Sequence, residues 1–295
     1  MNKIKIEEIL NEKIIDWAEL GSGMCNTVYK ATTEKDSYSV KVVKSNTDVF
    51  ETNTLIVEAR ITEKLNQENF LLPIPKIKHI DPDGGFYIYN FVDSLPLGEG
   101  DNQKYVSTLL SAMGEFHSNI DCVDKNTACN MIGIKEYSLD NFMIKYGNGF
   151  EKYIHNEILP HDYRYVLNTA FSVFEKTKSG NTHEQLLHND IHGENIFLDS
   201  KRELDCVIDF GDAVWGDIHL DMMWYVHGYP NDWEKVVDSY EKKSGHTINK
   251  QKLIALACIR FTRGLCQWYL DGQELEHCDE KFMDYKNLMK KYIAE

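Results

Sequence analysis

The part of the sequence that says most about chemistry is residues 186–212, LLHNDIHGENIFLDSKRELDCVIDFGD. Two short apolar runs, IFL and CVIDF, predict two strands that are joined by a tight turn. Asp190, Asn195 and Asp209 would then lie on loops that flank these strands. In phosphoryl transfer, one carboxylate orients the attacking hydroxyl and accepts its proton, while other oxygen atoms hold magnesium on the phosphates. The predicted hairpin offers each of these parts.

Taken singly, each of these three residues has a simpler interpretation. Asp and Asn are common in turns because their side chains bond to nearby backbone groups, so any one of them could be a turn former or a residue at a strand end. The spacing of all three residues is what favours a chemical role over this alternative.

This spacing matches a known pattern, since HNDIHGEN followed by VIDFGD resembles the catalytic loop and the metal-binding segment of aminoglycoside phosphotransferases. That family is related to protein kinases and choline kinases. The resemblance implies that Asp190 is the catalytic base and that Asn195 and Asp209 are magnesium ligands. It also implies that His188 supports the loop through hydrogen bonds and does not react.

A glycine-rich segment, GSGMCNTVYK at residues 21–30, lies upstream between two predicted strands. In kinase-like folds such a hairpin covers the phosphates, because missing side chains let backbone N–H groups approach closely. By resemblance, Gly21 and Gly23 fit this hairpin, and Val28 would contact the nucleotide base. Asn26 stands where protein kinases have a third glycine. A pattern this short is weak by itself, and an ordinary hairpin turn is the alternative.

A lysine in the middle of an apolar strand is the second upstream element. Lys41 lies within YSVKVVK, where a buried ammonium without a partner would be costly. The resemblance implies that Lys41 binds the α and β phosphates and that Glu58, on the next predicted helix, pairs with it. Alternatively, the lysine extends to solvent from an edge strand and the glutamate lies on a helix surface.

The third upstream element is YIYNFVDSLPL, which resembles the strand and linker that hold adenine through backbone groups. Asn90 and Val92 are the candidate contacts. The implied cofactors are ATP or GTP and Mg²⁺, and the sequence does not distinguish the two nucleotides because backbone groups read the base. The whole resemblance extends from about Leu20 to Tyr225 and includes six functional positions in the order that the family requires.

The stretch that follows the proposed metal ligand, GDAVWGDIHLDMMWY, is similar to the continuation found in the same family. There, Asp217 and Asp221 would stabilise the catalytic loop and a helix, although Asp217 could also be a helix cap. The chain has no long activation loop at this point. Its absence argues against a protein kinase that phosphorylation regulates and favours a small hydroxyl acceptor held among C-terminal helices.

Two kinds of scaffold are needed to position these residues. In the N-terminal third, β-branched runs separated by turn residues predict an antiparallel sheet, with one helix between Phe50 and Leu65. Helical spacing then dominates, and further helices are predicted at residues 103–118, 161–178, 217–227, 233–243 and 251–270. We expect an α+β, bilobal fold like that of protein kinases, with a nucleotide-binding lobe at residues 1–93 and a larger, mainly helical catalytic and substrate-binding lobe at residues 94–295.

Carboxylates line the acceptor pocket of the family that the sequence resembles when the acceptor is an aminoglycoside. Several desolvated carboxylates would bind a polyamine sugar through charge-assisted hydrogen bonds. The candidate substrate contacts are Glu194, Asp212, Trp268, Asp271 and Glu274, with Trp224 and Tyr269 as further aromatic candidates. Alternatively, the acidic run at residues 271–280 is a solvated loop and the aromatic residues belong to the core.

The overall charge narrows the classes of partner. The 295 residues include 47 acidic and 32 basic ones, which gives a net charge of −15. This charge repels phosphate backbones and anionic lipid surfaces, so neither nucleic acid nor a membrane is an expected partner. It would attract a cationic ligand, although an acidic excess also keeps proteins soluble.

The N-terminus and the cysteines indicate the compartment. MNKIKIEEILNEKIIDW is charged and amphipathic, unlike a signal peptide or a membrane span. The seven cysteines include no CxxC pair, so we expect reduced thiols in a cytoplasmic protein. We expect a monomer or a dimer.

The resemblance therefore implies an enzyme that moves the γ-phosphate of a magnesium-nucleotide to a hydroxyl group of a cationic small molecule. An aminoglycoside is the leading acceptor, which would make this an antibiotic-resistance enzyme. A second hypothesis keeps the machinery and changes the acceptor to choline, a homoserine-like alcohol, methylthioribose or a macrolide. A third is a non-catalytic pseudokinase scaffold, which the presence of the lysine, both metal-ligand candidates and the candidate base argues against.

Overall fold

The structure is a computed structural model that describes residues 3–23, 25–44, 55–68, 72–97, 103–147, 151–180, 182–272 and 275–293. The chain forms two compact units. The first unit comprises Met1–Tyr105, Asn119–Glu136 and His188–Trp215, and the second comprises Val106–Ser118, Tyr137–Leu187 and Gly216–Glu295. Each unit is assembled from separate stretches of the chain, whereas the predicted lobes were continuous, and the predicted boundary after residue 93 stays a prediction.

An antiparallel sheet forms the N-terminal part of the first unit, after a short helix, α1 (Lys3–Leu10). Its strands are β1 (Ile14–Ser22), β2 (Asn26–Thr33), β3 (Ser37–Val43), β4 (Ile77–Ile80) and β5 (Phe86–Asn90). They are arranged in the order β1-β2-β3-β5-β4. Alternation of β-branched and polar residues along β2 and β3 puts one apolar face inward, where Ala31, Val40 and Ile88 pack with Ile6 of α1.

One helix, α2 (Leu55–Glu68), follows β3 and packs its Leu55 and Ala59 against Tyr87 and Tyr89 of β5. The sequence predicts this helix from Phe50, a residue that lies outside the described ranges, and ends it three residues too early. Strand β4 was not predicted. It has only four residues, and its strand character comes from pairing with β5, where Ile80 lies opposite Tyr87.

The rest of the chain is mainly helical, as predicted. The helices are α3 (Gln103–Ile120), α4 (Leu139–Phe142), α5 (Glu151–Ile154), α6 (His161–Thr177), α7 (His219–Gly228), α8 (Glu234–Ser244), α9 (Lys250–Leu270) and α10 (Leu275–Tyr292). The strands are β6 (Leu95–Pro96), β7 (Lys135–Tyr137), β8 (Glu184–Leu187), β9 (Ile196–Leu198), β10 (Leu204–Val207) and β11 (Val214–Asp217). No helix in the described ranges combines the length and the apolar character needed to cross a bilayer.

Strands β9 and β10 are the predicted hairpin, and this prediction is confirmed. They pair antiparallel, with Leu204 opposite Leu198 and Val207 opposite Ile196. Strand β6 adds to the outer side of β9, which gives the order β10-β9-β6. Gly193 allows this close approach, because a Cβ at that position would lie 2.7 Å from the carbonyl oxygen of Leu97.

Helix α9 is the centre of the second unit. Residues 252–259 are buried all round the helix, and α6, α7 and α10 pack against it. Helix α10 was not predicted, because the acidic run DGQELEHCDE resembled a solvated loop. Its later part has the spacing of an amphipathic helix, with Phe282, Tyr285, Leu288 and Met289 buried.

A buried ion pair also connects elements of the second unit. Asp217, at the end of β11, accepts hydrogen bonds from Lys252 of α9 and from the backbone N–H of His219. Burial would raise the pKa of Asp217, but its bonds to His219 and the Lys252 ammonium bring it below the ordinary aspartate value. A paired charge of this kind is stable inside a protein only while both partners are present.

Helices α3 and α8 approach each other closely at Gly114. A Cβ at this position would lie 2.4 Å from the carbonyl oxygen of Val236 and 2.7 Å from the Cβ of Ser239. The hydroxyl of Ser239 donates to the carbonyl of Ser111, 2.7 Å away, which holds the two helices together. Gly264 of α9, in contrast, has nothing within 4 Å of its would-be Cβ.

Gly114→Ala and Gly264→Ala should therefore change stability in opposite directions. We expect Gly114→Ala to lower the free energy of unfolding by about 1–3 kcal/mol through overpacking. Gly264→Ala should raise it by about 0.5–1 kcal/mol, because alanine favours the helical conformation. Urea unfolding followed by circular dichroism measures both, and a stabilising Gly114→Ala would contradict the close packing of α3 and α8.

Candidate active site

The loop between β8 and β9 carries the predicted catalytic base, Asp190. His188 at its start is fully buried, and its Nε2 donates to the carbonyl of Ile208, 2.8 Å away, while its Nδ1 accepts from the backbone N–H of Asp190. Burial lowers the pKa of His188, so the ring stays neutral and makes both bonds. Asn189 has a left-handed backbone, with φ of 63°. The histidine thus fixes the loop to the strand pair, and Asp190 itself stays half-exposed.

Asp209 follows β10 and has a left-handed backbone with φ of 67°, a conformation that non-glycine residues seldom adopt. Its side chain accepts from the N–H of Gly211 and from the ammonium of Lys41, which lies 3.0 Å away. Partial burial would raise the pKa of Asp209, but Lys41 outweighs this effect and holds the pKa below the ordinary aspartate value. The side chain is 43% exposed, so an ionised oxygen remains available for a ligand.

The ammonium of Lys41 is buried between two carboxylates. It donates to Glu58 of α2 at 2.9 Å and to Asp209 at 3.0 Å. Lys41 is 5% exposed and Glu58 is 1% exposed. Burial opposes the charge on Lys41, but the two carboxylates raise its pKa above the ordinary lysine value. Burial raises the pKa of Glu58 to about 7, even though the lysine favours the ionised form.

Tyr87 of β5 completes this network. Its hydroxyl donates to Oε1 of Glu58 at 2.9 Å, the same oxygen that accepts from Lys41. Burial raises the pKa of Tyr87 well above the ordinary tyrosine value, so the phenol remains a donor. In the described part of the chain, Oε2 of Glu58 is buried and has no hydrogen-bond partner. The two bonds on one oxygen fix the direction in which the carboxylate points.

A small cavity of about 40 Å³ opens beside this network. Val28, Lys41, Glu58 and Asp209 all line it, so the structure brings four of the predicted nucleotide and metal residues together. The other lining residues are Thr62, Pro75, Tyr87, Tyr89, Ile208 and Phe210. Asn90 and Val92, the predicted adenine contacts, are not among them. Asn90 lines a different surface cavity, with Lys30, Phe91 and others.

The predicted glycine-rich hairpin is formed by β1 and β2. Gly21 lies opposite Val28 in the register, so the glycine-rich turn is directly connected to a cavity residue. Both Gly21 and Gly23 are exposed, and would-be Cβ atoms at these positions meet nothing closer than 3.9 Å. The described residues therefore leave space beside both glycines, and a phosphate group could approach the exposed backbone there.

Asn195 and Asp209 fit the ligand set of a magnesium ion. The backbone carbonyl of Asn195 accepts from the N–H of Ile208 at 3.0 Å, which places the asparagine next to the residue that precedes Asp209. The amide nitrogen of Asn195 donates to the carbonyl of Asp190 at 2.9 Å, so its amide oxygen points away from that bond. Amide and carboxylate oxygens are the ligands that Mg²⁺ prefers.

Two residues of this site were not predicted as participants. Tyr87 lies opposite Lys41 in the register of β3 and β5, so alternation along both strands could have placed it beside the lysine. His192 lies near the predicted base, with Nε2 3.4 Å from Oδ2 of Asp190, and this contact raises the pKa of His192. It could have been found from its place two residues after Asp190.

The candidate substrate residues are spread over both units. In the first unit, Glu194 is exposed, and Asp212 is half-buried with its carbonyl accepting from Asn189. In the second unit, Trp268 is 47% exposed and Asp271 accepts from Gln267 at the end of α9. Glu274 lies outside the described residues. The structure thus shows Trp268 at a surface and does not bring it into a core.

Comparison with solved structures shows similarity over nearly the whole chain. One is macrolide 2′-phosphotransferase MphH from Brachybacterium faecium, with 14% identity, a TM-score of 0.66 and 95% of each chain covered. Another is a GDP complex of aminoglycoside 2′-phosphotransferase-IIIa, with 17% identity, a TM-score of 0.66, and 97% of this chain and 99% of that chain covered. Choline kinase LicA from Streptococcus pneumoniae has 17% identity, a TM-score of 0.62 and 98% of each chain covered. These similarities establish a kinase-like α+β fold.

Comparison at the level of sequence gives two results. No curated protein shows a significant match to this chain. The pattern of the phosphotransferase enzyme family matches residues 16–256, which include Lys41, Glu58, Asp190, Asn195 and Asp209 but not Trp268 or Asp271. Since this match covers most of the chain, the protein belongs to the phosphotransferase enzyme family.

Proposed function

We propose that the chain transfers the γ-phosphate of a magnesium-nucleotide, ATP or GTP, to a hydroxyl group of a small molecule. The observation that carries this proposal is the buried ammonium of Lys41, which is held between Glu58 and Asp209 at 2.9 and 3.0 Å. The ammonium of Lys41 lines the cavity, and the glycine-rich turn is connected to the same cavity through Val28, so the lysine is placed to bind phosphates.

The proposed roles follow from the geometry of each residue. Asp190 accepts the proton of the attacking hydroxyl, since it is half-exposed on a loop that His188 holds in place. Asp209 and Asn195 hold Mg²⁺, which would neutralise charge on the phosphates when bound. Glu58 orients the ammonium of Lys41. Nucleotide binding is assigned to residues 1–93 together with Asp209, and acceptor binding to residues 94–295.

The acceptor that we propose is an aminoglycoside, on the basis of the sequence resemblance and the acidic excess of the chain. Two proteins of similar fold have been solved with an antibiotic bound, one with spectinomycin and the other with kanamycin. A macrolide or choline is the alternative, because a macrolide phosphotransferase and a choline kinase are also similar in fold, with TM-scores of 0.66 and 0.62.

An acceptor panel tests this proposal. The purified chain with Mg²⁺ and ATP or GTP should release nucleoside diphosphate faster when an aminoglycoside is added, and mass spectrometry should detect a product heavier by one phosphoryl group. Macrolides and choline form the parallel arms. Turnover with choline but with no aminoglycoside would overturn the proposed acceptor, and the proposed phosphoryl transfer would still stand. No turnover with any arm, together with no slow nucleotide hydrolysis, would favour a non-catalytic scaffold.

Asp190→Ala tests the proposed base. Loss of the carboxylate should lower kcat by about 10²–10⁴-fold, because proton removal from the acceptor is no longer assisted. Nucleotide affinity should change little, since Asp190 makes no bond to Lys41 or Glu58. Asp199→Asn is the matched control, because Asp199 caps the β9–β10 turn through bonds to the N–H groups of Lys201 and Glu203 that an amide oxygen can still accept. Full turnover in Asp190→Ala would exclude this residue as the base.

The dependence on pH tests the role of Glu58. With a pKa of about 7, Glu58 gains a proton as the pH falls through neutrality, and the charge partner that orients Lys41 is lost. We expect kcat/KM for the nucleotide to fall as the pH is lowered through about 7. Tyr87→Phe removes a bond that favours the ionised carboxylate, so this fall should move to higher pH by about 1 unit.

Tyr89→Phe is the control for this pH experiment. Tyr89 lines the same cavity from the same strand, but its hydroxyl bonds to Ser39 and not to Glu58. The midpoint of its profile should therefore match that of the unmodified chain. Identical midpoints for Tyr87→Phe and the unmodified chain would show that Glu58 does not control the acid limb.

A further inference from the structure

The second unit contains an arginine whose surroundings are aromatic. Arg260 lies on α9 and is half-buried. Its guanidinium carbon is 4.4 Å from the ring centre of Tyr146, 4.8 Å from that of Trp224 and 5.5 Å from that of Phe261. These three rings hold the guanidinium in a defined orientation, because its flat faces are attracted to aromatic surfaces.

Stacking on the rings occupies the faces of the guanidinium, and the N–H groups at its edge remain available to a ligand. The contacts that the structure gives the guanidinium are the three rings, and in the described part of the chain its buried Nε has no hydrogen-bond partner. Arg263, one turn further along the same helix, differs because it donates to the carbonyl of Lys145.

Tyr137 contributes a second donor, near enough to Arg260 for the guanidinium charge to lower the pKa of its phenol. Its hydroxyl, at the end of β7, is buried and has no hydrogen-bond partner among the described residues. Burial raises the pKa of Tyr137 to about 12, with Tyr146 raising it further and Arg260 lowering it, so the phenol is neutral and able to donate. Among the described residues, neither the Nε of Arg260 nor the hydroxyl of Tyr137 has an acceptor, although buried donors are nearly always satisfied in folded proteins.

We propose that Arg260 and Tyr137 form a binding site for an oxyanion group, a carboxylate or a phosphate, of a small molecule. A guanidinium presents its N–H groups as a planar fork that fits two oxygen atoms of such a group, and the tyrosine hydroxyl supplies a further donor. The rings of Tyr146, Trp224 and Phe261 preorganise the arginine and give the ligand an apolar wall. All of these residues belong to the second unit, whereas the lysine and the carboxylates of the proposed nucleotide site belong to the first.

A site for an external cation is the rival interpretation of the same rings, since aromatic cages bind ammonium groups. In this structure the guanidinium of Arg260 already contacts three rings, at the position that such a cation would take. The groups left without partners are donors, which a cation cannot satisfy. The chemistry of the site therefore favours an anion.

Anion titrations of the purified full chain test the proposal. The probes are acetate for the carboxylate and inorganic phosphate for the phosphate, each added as the sodium salt at constant ionic strength. Tryptophan fluorescence reports on the site through Trp224, and the melting temperature gives a second readout. At least one anion should bind to the unmodified chain, and the anion that binds more tightly identifies the ligand group.

Three variants make the test specific to this site. Arg260→Lys keeps the charge and loses the planar fork, so the affinity should fall by about tenfold, and Tyr137→Phe should lower it by about threefold. Arg263→Lys is the matched control and should bind as the unmodified chain does. Anions that bind at Lys41 would give the same signal in all four chains and so do not mimic the expected pattern.

Several outcomes would overturn the proposal. They are no response to either anion, equal affinity in Arg260→Lys, or a stabilisation by tetramethylammonium in place of the anions. If Arg260→Lys does not fold, as judged by circular dichroism, Tyr137→Phe decides, because it removes a single oxygen atom. Equal anion affinity in Tyr137→Phe would then count against the site.

Discussion

The burial of one ammonium group, that of Lys41, is the constraint on which the first unit depends. A buried cation is tolerated only with charge partners in contact, and here these come from α2 and from the residue that follows β10. The requirement ties strand β3 to elements that are far apart in the sequence, since Lys41 and Asp209 are separated by 168 positions. The N-terminal sheet and the β9–β10 hairpin thus belong to one compact unit for an electrostatic reason as well as an apolar one.

The two carboxylates that share this ammonium have different properties, and the difference suits different tasks. Glu58 is enclosed, and burial moves its pKa up to about 7, so its ionisation depends on Lys41 and Tyr87. Asp209 is more open, and its pKa is lowered by the same lysine. The enclosed carboxylate can therefore orient the lysine, while the open one stays ionised for a ligand. Glu58 thus stabilises the fold, and Asp209 is the carboxylate that we propose as a ligand of Mg²⁺.

Much of this arrangement could be predicted from the sequence, because the lysine, the glutamate and the hairpin follow one another along the chain in the order that the family requires. Lys41 within an apolar strand, Glu58 on the next helix and the β9–β10 hairpin were all predicted, and the structure brings Lys41, Glu58 and Asp209 into contact. Tyr87 was missed because the alternation along β5 places it beside Lys41 only once the pairing of β3 with β5 is known, and that pairing joins segments distant in the sequence. Helix α10 was missed for another reason, since its acidic start obscured an apolar stripe that begins at Phe282.

The second unit holds two inward cations, Lys252 and Arg260, in different ways, and the comparison indicates which of them is structural and which faces a ligand. Lys252 is fully buried and forms an ion pair with Asp217 of the same unit, just as Lys41 pairs with Glu58 in the first unit. Arg260 is enclosed by rings that orient it without neutralising it. Holding the Arg260 side chain in one orientation between the rings costs conformational entropy. This cost is offset when the ordered guanidinium binds a ligand. Since no described residue supplies a hydrogen-bond acceptor for Nε of Arg260, the ligand that we propose for the second unit is expected to supply acceptors for this guanidinium.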